Sequence, residues 1–323
     1  MVRLILSIAV AGCAACGWAS PPKYVYEGTW GSFGTNDGEF DHPGGIALAA
    51  NGRVYVADSV NHRVQYFTPT GSFLGKWGSR GSGEGQFAYI GGLAFGPNGY
   101  LYVADLDNHR VQYFTADGSF LGKWGTRGEG VGEFNRPSGV AFAPNGNVYV
   151  CDENNARVQY FTATGSYLGE WGSQGRSNGQ FHWPLGVAVA PNATVYVADY
   201  LNDRIQYFTT AGSFLGKWGY TGSGDGGFQA PMDVDVGPGG TVFVADQKNH
   251  RVQYFTAAGS YLGKWGTMGS GEGELRDPSG LAVTPSGLRV YVAEYWNHRI
   301  QYFKCANVGV APASLGRVKT LFR

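Results

Sequence analysis

Val103-Ala104-Asp105-Leu106-Asp107-Asn108-His109-Arg110-Val111-Gln112-Tyr113-Phe114 is one copy of a phrase that returns at residues 56–67 and 244–255 and, with substitutions, three more times. Its acidic position falls at Asp58, Asp105, Asp152, Asp199, Asp246 and Glu294, in steps of 47, 47, 47, 47 and 48 residues. Arg63, Arg110, Arg157, Arg204, Arg251 and Arg299 keep the same beat, as do Trp30, Trp77, Trp124, Trp171, Trp218 and Trp265. A fixed period of this length means stacked supersecondary units. It also sets how motifs are weighed. A residue present in every unit serves the fold, because a ligand site is rarely needed six times, so functional information lies where units differ.

Within one unit the apolar run Gly92-Leu93-Ala94-Phe95 is followed by the turn Pro97-Asn98-Gly99 and by Tyr100-Leu101-Tyr102-Val103-Ala104. Asp105 to Asn108 makes the next turn, Arg110 to Phe114 a third strand, Ala116-Asp117-Gly118 another turn, and Ser119 to Gly125 a fourth strand. Inner strands apolar on both faces suit a sheet sandwiched between two neighbours. Lys76, Lys123, Lys217 and Lys264 on the fourth strand suit a solvated edge. Four-stranded antiparallel units arranged radially give an all-β, six-bladed β-propeller.

The sixth unit stops after Arg299 to Lys304. The segment Val25-Tyr26-Glu27-Gly28-Thr29-Trp30-Gly31 supplies the missing strand, aligning Gly28 and Trp30 with Gly75 and Trp77. The expected organisation is therefore a segment 1–19, a propeller over 20–305 and a tail over 306–323. The units fall near 32–78, 79–125, 126–172, 173–219, 220–266 and 267–305, with 24–31 completing the last blade.

The phrase Val-Ala-Asp-x-x-Asn-His-Arg-Val-Gln-Tyr-Phe resembles the NHL-repeat family of six-bladed propellers over residues 24–305. The resemblance implies the fold and leaves function open, since that family includes protein-binding, RNA-binding and enzymatic members. No Cys/His spacing here could supply the RING and B-box segments of its ubiquitin-ligase members.

Composition narrows the classes. There are 53 glycines and 14 prolines in 323 residues, with 15% aromatics, which describes a turn-rich β protein. Formal net charge is zero, so no global field draws in nucleic acid or an anionic membrane, and RNA binding stays a second alternative. Met1-Val2-Arg3, the apolar run Leu4 to Ala11 and the small residues after it are laid out as a signal peptide. Val10-Ala11-Gly12-Cys13 resembles a lipobox that would lipidate Cys13, and Gly17-Trp18-Ala19 offers a competing cleavage site. The expected location is extracytoplasmic, secreted or lipid-anchored in the cell envelope, with membrane contact only through Cys13. The basic tail residues Arg317, Lys319 and Arg323 suit a flexible extension or an attachment signal. Cys151 and Cys305 are expected to lie too far apart for a disulfide.

Three sets of residues are candidates for a site. The histidines of the Asn-His-Arg triplet, His62, His109, His250 and His298, are replaced by Ala156 and Asp203 in two units. Adjacent sheets lie ~10 Å apart whereas zinc needs ligands at ~2 Å, so these histidines read as structural. Asp233 and Asp235 stand where other units have small or apolar residues, both on one face of an inner strand near the channel. They read as a polar lining. With His42 and His182, placed to face one another across the channel, they form the alternative set for a metal-dependent hydrolase or lyase. The pairs between the repeated Asp and Asn vary from unit to unit, and Tyr200-Leu201 and Tyr295-Trp296 carry the aromatics typical of contact points. The leading expectation is an exported, monomeric binding scaffold for a protein or glycan, with no cofactor and no catalysis of its own.

Overall fold

The computed structural model describes residues 22–306; the expected signal segment, with Cys13, and the tail from 307 onward lie outside the described residues. Six four-stranded antiparallel sheets surround a central channel. The innermost strands, Pro43–Leu48, Ile90–Phe95, Pro137–Phe142, Pro184–Val189, Pro231–Val236 and Pro278–Val283, head blades I to VI, and each packs on the next, the last on the first. Short 3₁₀ turns are the only helical elements among the described residues.

In blade VI the outermost strand is Tyr24–Trp30, which pairs with Arg299–Cys305 from Tyr24↔Cys305 to Trp30↔Ile300, with a bulge between Tyr26 and Gly28. The ring is thus closed by the two ends of the described chain. Gly28 and Gly75 occupy the same place in the pattern because the rings of Tyr302 and Tyr66 lie where a Cβ would go.

The core sits between blades. Ala47, Tyr55, Ala57 and Val64 of blade I pack on Phe87, Leu93, Leu101, Val103 and Phe114 of blade II, and the equivalents recur around the ring. Phe40, Phe87, Phe134, Phe181 and Phe228 are fully buried, each worth about 2–3 kcal/mol by area. Tyrosine hydroxyls bind the ring from blade to blade: Tyr55 donates to the Ala116 carbonyl, Tyr102 to Ala163, Tyr149 to Thr210 and Tyr196 to Ala257. In blade V the equivalent residue is Phe243. There Tyr24 packs edge-on against the phenylalanine ring, 5.4 Å between centroids, and donates to the Gly287 carbonyl. Cys151 and Cys305 are free and buried.

Candidate ligand-binding site at the channel mouth

The repeated polar residues are consumed by the fold. Asp58, fully buried, accepts from the Asp41 amide, Asn61, Arg63 Nε at 2.6 Å and Gln65. Arg63 then donates to the carbonyls of Thr35, Asn36 and Glu39, and Gln65 to that of Glu39. The set clamps the glycine-rich loop to the hairpin tip, placing both on one face of the disc. Glu294 performs the same task in blade VI, accepting from the Arg276 amide, Arg299 and Gln301. These groups face backbone and one another, which leaves no free nucleophile or base.

The histidine of the triplet is a backbone choice. His62, His109, Ala156, Asp203, His250 and His298 all have φ between 52 and 57°, a left-handed conformation in which His and Asp are enriched. In four of the six units the side chain then ties adjacent blades, whereas Ala156 has none to offer and His62 Nδ1 is buried without a partner. His109 Nδ1 accepts from the Arg136 amide, His250 Nδ1 from Asp277, His298 Nδ1 from His42, and Asp203 from Ala230. Each lies at its own blade junction.

At the tips the two variable positions separate. The first of each pair, Ser59, Leu106, Glu153, Tyr200, Gln247 and Tyr295, turns inward and lines one cavity of about 410 Å³ at the channel mouth. The second turns away, and Leu201 and Trp296 stand 39% and 47% exposed on the rim. The candidates Tyr200, Leu201, Tyr295 and Trp296 are therefore divided, two in the mouth and two outside it. Tyr89, Arg136 and Trp183 complete the wall from the position before the inner strand. Sequence reasoning passed over these three. Their signal was available, since this position reads His42, Tyr89, Arg136, Trp183, Ala230 and Asp277 around the ring and varies as much as the tips.

Trp183 stacks on Tyr200, centroids 6.4 Å apart and planes 27° off parallel, and the Tyr200 hydroxyl donates to Gln247 Oε1 at 3.0 Å. Burial, with Tyr295 alongside, pushes the Tyr89 phenol far up. Glu153 is 7% exposed; burial raises its carboxyl while Arg136 draws it down.

Asp233 lies at the throat below, and Asp235 lines a second cavity of about 280 Å³ farther along the channel. Asp233 accepts from the Leu281 and Val234 amides, and Asp235 from Val283 and Val236, at 2.8–2.9 Å. The pair bridges blade V to blade VI by satisfying sheet-edge amides. Protein surrounds both carboxylates although the channel reaches them. Burial first, and for Asp233 also repulsion from Asp235, pushes them up to about 7 and about 6.

His42 and His182 do not join them. The His42 ring packs on Tyr295, Trp296 and His298, with centroids 4.2, 4.8 and 4.7 Å away, and its Nδ1 lies 2.6 Å from Asp41. His182 packs beside Trp183, and neither histidine lines the channel cavities. Among the described residues the one group of three metal-ligating side chains is Asp41, His42 and His298, at the junction of blades VI and I. There His298 Nδ1 already accepts the His42 amide and His42 Nδ1 is taken by Asp41.

The NHL repeat family model matches residues 40–67, 87–114, 134–161, 228–255 and 275–303, the pairing core of blades I, II, III, V and VI. Over 51 residues, 16% of the chain, it is 41% identical to the B-box type zinc finger protein ncl-1 of Caenorhabditis elegans and to the protein brain tumor of Drosophila melanogaster. Those stretches are 6% and 5% of the relatives' own lengths. Among solved structures, a structural-genomics protein from Bacteroides thetaiotaomicron superposes with a TM-score of 0.69 at 16% identity, covering 88% of this chain and 76% of that one. A gluconolactonase from Xanthomonas campestris gives 0.62 at 16% (89% and 96%), and virginiamycin B lyase from Staphylococcus aureus 0.56 at 14% (80% and 79%). At such identities the likeness is one of fold. With six repeats closing a ring and the family model matching five of them, the chain belongs to the NHL-repeat β-propellers.

Proposed function

We propose that this NHL propeller is a binding scaffold that holds a protein or glycan partner at the channel mouth and performs no chemistry on it. One observation carries the reading. Six equivalent tip positions, filled by five different residue types, all turn into the same cavity, so a ring of near-identical blades presents an asymmetric surface at its mouth. Rigid aromatic rings in a concave, partly desolvated place are typical binding anchors. The channel carboxylates support this reading over the enzymatic one, because both oxygens of Asp233 and of Asp235 are engaged by backbone amides. The same proposal places the propeller outside the cytoplasm, on the strength of the apolar Leu4 to Ala11 run and the lipobox-like Cys13.

The test is capture from a cell-envelope extract and from an immobilised glycan panel, with Tyr200→Ala/Tyr295→Ala as the comparison protein at matched folded fraction. A partner retained by the parent and lost by the double variant is expected. Equal retention by both would move the binding surface elsewhere. Mass spectrometry from the native host reads the export step, and an intact Met1 on the abundant species would refute it.

A further inference from the structure

The charged side chains of the mouth are unevenly supplied. Arg136, Glu153 and Asp233 are the ionisable acid and guanidinium groups on its wall, and no lysine lines it. Glu153 is almost completely buried, and its polar side-chain partner is Arg136 Nε at 3.5 Å, long for a hydrogen bond. The guanidinium makes its close contact elsewhere, 2.5 Å from Asp107 on the rim. Lys248, at the tip of blade V, is engaged by Asp277 at 2.5 Å. Glu153 therefore faces the cavity as a carboxylate short of donors, a costly state for a buried charge. Asp233 lies at the floor with both oxygens engaged by backbone amides, so Glu153 is the acid open to a ligand.

The same cavity is walled by the aromatic rings of Tyr89, Trp183, Tyr200 and Tyr295. Aromatic faces carry negative potential and attract cations, tryptophan most strongly. We propose that the mouth is a socket for an organic ammonium group, held against the Trp183 and tyrosine faces and paired with Glu153. This rests on the reading of the mouth as the binding site and names the chemistry that it selects. The ammonium has two possible sources, a free small cation or a lysine side chain presented by a partner. A neutral sugar could use the same aromatic wall, but would leave Glu153 without a counter-charge.

Tryptophan fluorescence and calorimetry with three probes decide the matter: choline, its neutral isostere 3,3-dimethyl-1-butanol, and Nα-acetyl-lysine methylamide. Saturable binding of choline or the lysine derivative is expected, with the neutral isostere at least about tenfold weaker. Choline in preference to the lysine derivative indicates a free cation, and the reverse a peptide-borne one. Glu153→Gln should lower the affinity for the cation about tenfold, and Arg136→Asn, which suits the left-handed backbone at 136 (φ 65°), should raise it. Equal binding of isostere and cation, or weaker cation binding by Arg136→Asn, overturns the proposal. So does binding of neither ammonium by the folded protein. If partner capture still depends on Tyr200 and Tyr295 in that case, the cation socket fails while the binding scaffold stands.

Discussion

The Tyr291 hydroxyl of blade VI donates to the Pro69 carbonyl of blade I at 2.9 Å, so the hydrogen bond that links every other tyrosine-bearing blade to its successor also crosses the seam where the ring closes. Arg289 reaches the same carbonyl and pairs with Glu27 of the N-terminal strand at 2.7 Å. The seam is therefore bound twice, once by strand pairing and once by side chains.

Tyr291→Phe removes one donor and leaves a part-buried carbonyl with a weaker partner. A loss of about 1 kcal/mol is expected, read as a lower midpoint in urea at unchanged slope. Tyr55→Phe should cost a similar amount, since its bond to Ala116 is the same bond between blades I and II. A negligible effect of both would remove the tyrosine link from the account of blade docking.

Asp246→Ala should be far more damaging. It strips the acceptor from the Gln229 amide, Asn249, Arg251 and Gln253 together and leaves the Arg251 guanidinium buried without its counter-charge. About 3–5 kcal/mol is expected by denaturant titration. Trp296→Ala, on the exposed rim, should stay within about 0.5 kcal/mol beyond the loss of its bond to Asp277. Comparable destabilisation by the two would contradict the division between fold residues and surface residues.

That division marks how far the sequence could be read. Period, strand order and closure by Val25 to Gly31 were legible because each blade repeats one pattern and the last copy lacks a strand. The mouth was legible in part. Variation at Tyr200 and Tyr295 stood out, yet the sequence treats Tyr200 and Leu201 as one pair, and only the turn geometry sends the first inward and the second outward. Tyr89, Arg136 and Trp183 escaped notice because three-dimensional convergence, not spacing, brings the position before each inner strand beside the tips. His42 and His182 share a neighbourhood with a strand-opening proline, but left-handed backbone at His42 (φ 54°) directs its ring to Tyr295 and Trp296.

The acid pair in the channel gives a pH dependence with a definite sign. Asp233 and Asp235 have carboxyls raised from 3.8 to about 7 and about 6 in the folded state. Between about pH 4 and pH 7 the folded protein keeps protons that the unfolded chain has released. Their contribution to stability is therefore complete below pH 4 and is lost as pH rises through 6 and 7. Asp233→Asn removes one of the two titrations, so its melting temperature should fall less than that of the parent between pH 4 and pH 8. Parallel curves for the two proteins would show that Asp233 titrates alike in both states.

The strand Tyr24–Trp30 makes a sharper demand on the fold. Without it the strand Arg299–Cys305 becomes an open edge, Trp30 no longer covers Phe67 and Tyr302 (5.6 and 5.7 Å), and Tyr24 leaves Phe243, Tyr254 and Trp265. A chain beginning at residue 22 should melt within a few degrees of one beginning at Met1. One beginning at residue 31 should melt about 10 °C lower or more, or aggregate through the bare edge. A synthetic peptide of residues 22–31 added in trans should restore much of the loss, because extended peptides add to an exposed strand through main-chain pairing. If the chain beginning at residue 31 is as stable as the longer one, the ring does not depend on the N-terminal strand, and the blade-to-blade packing of Pro278–Val283 on Pro43–Leu48 closes it alone.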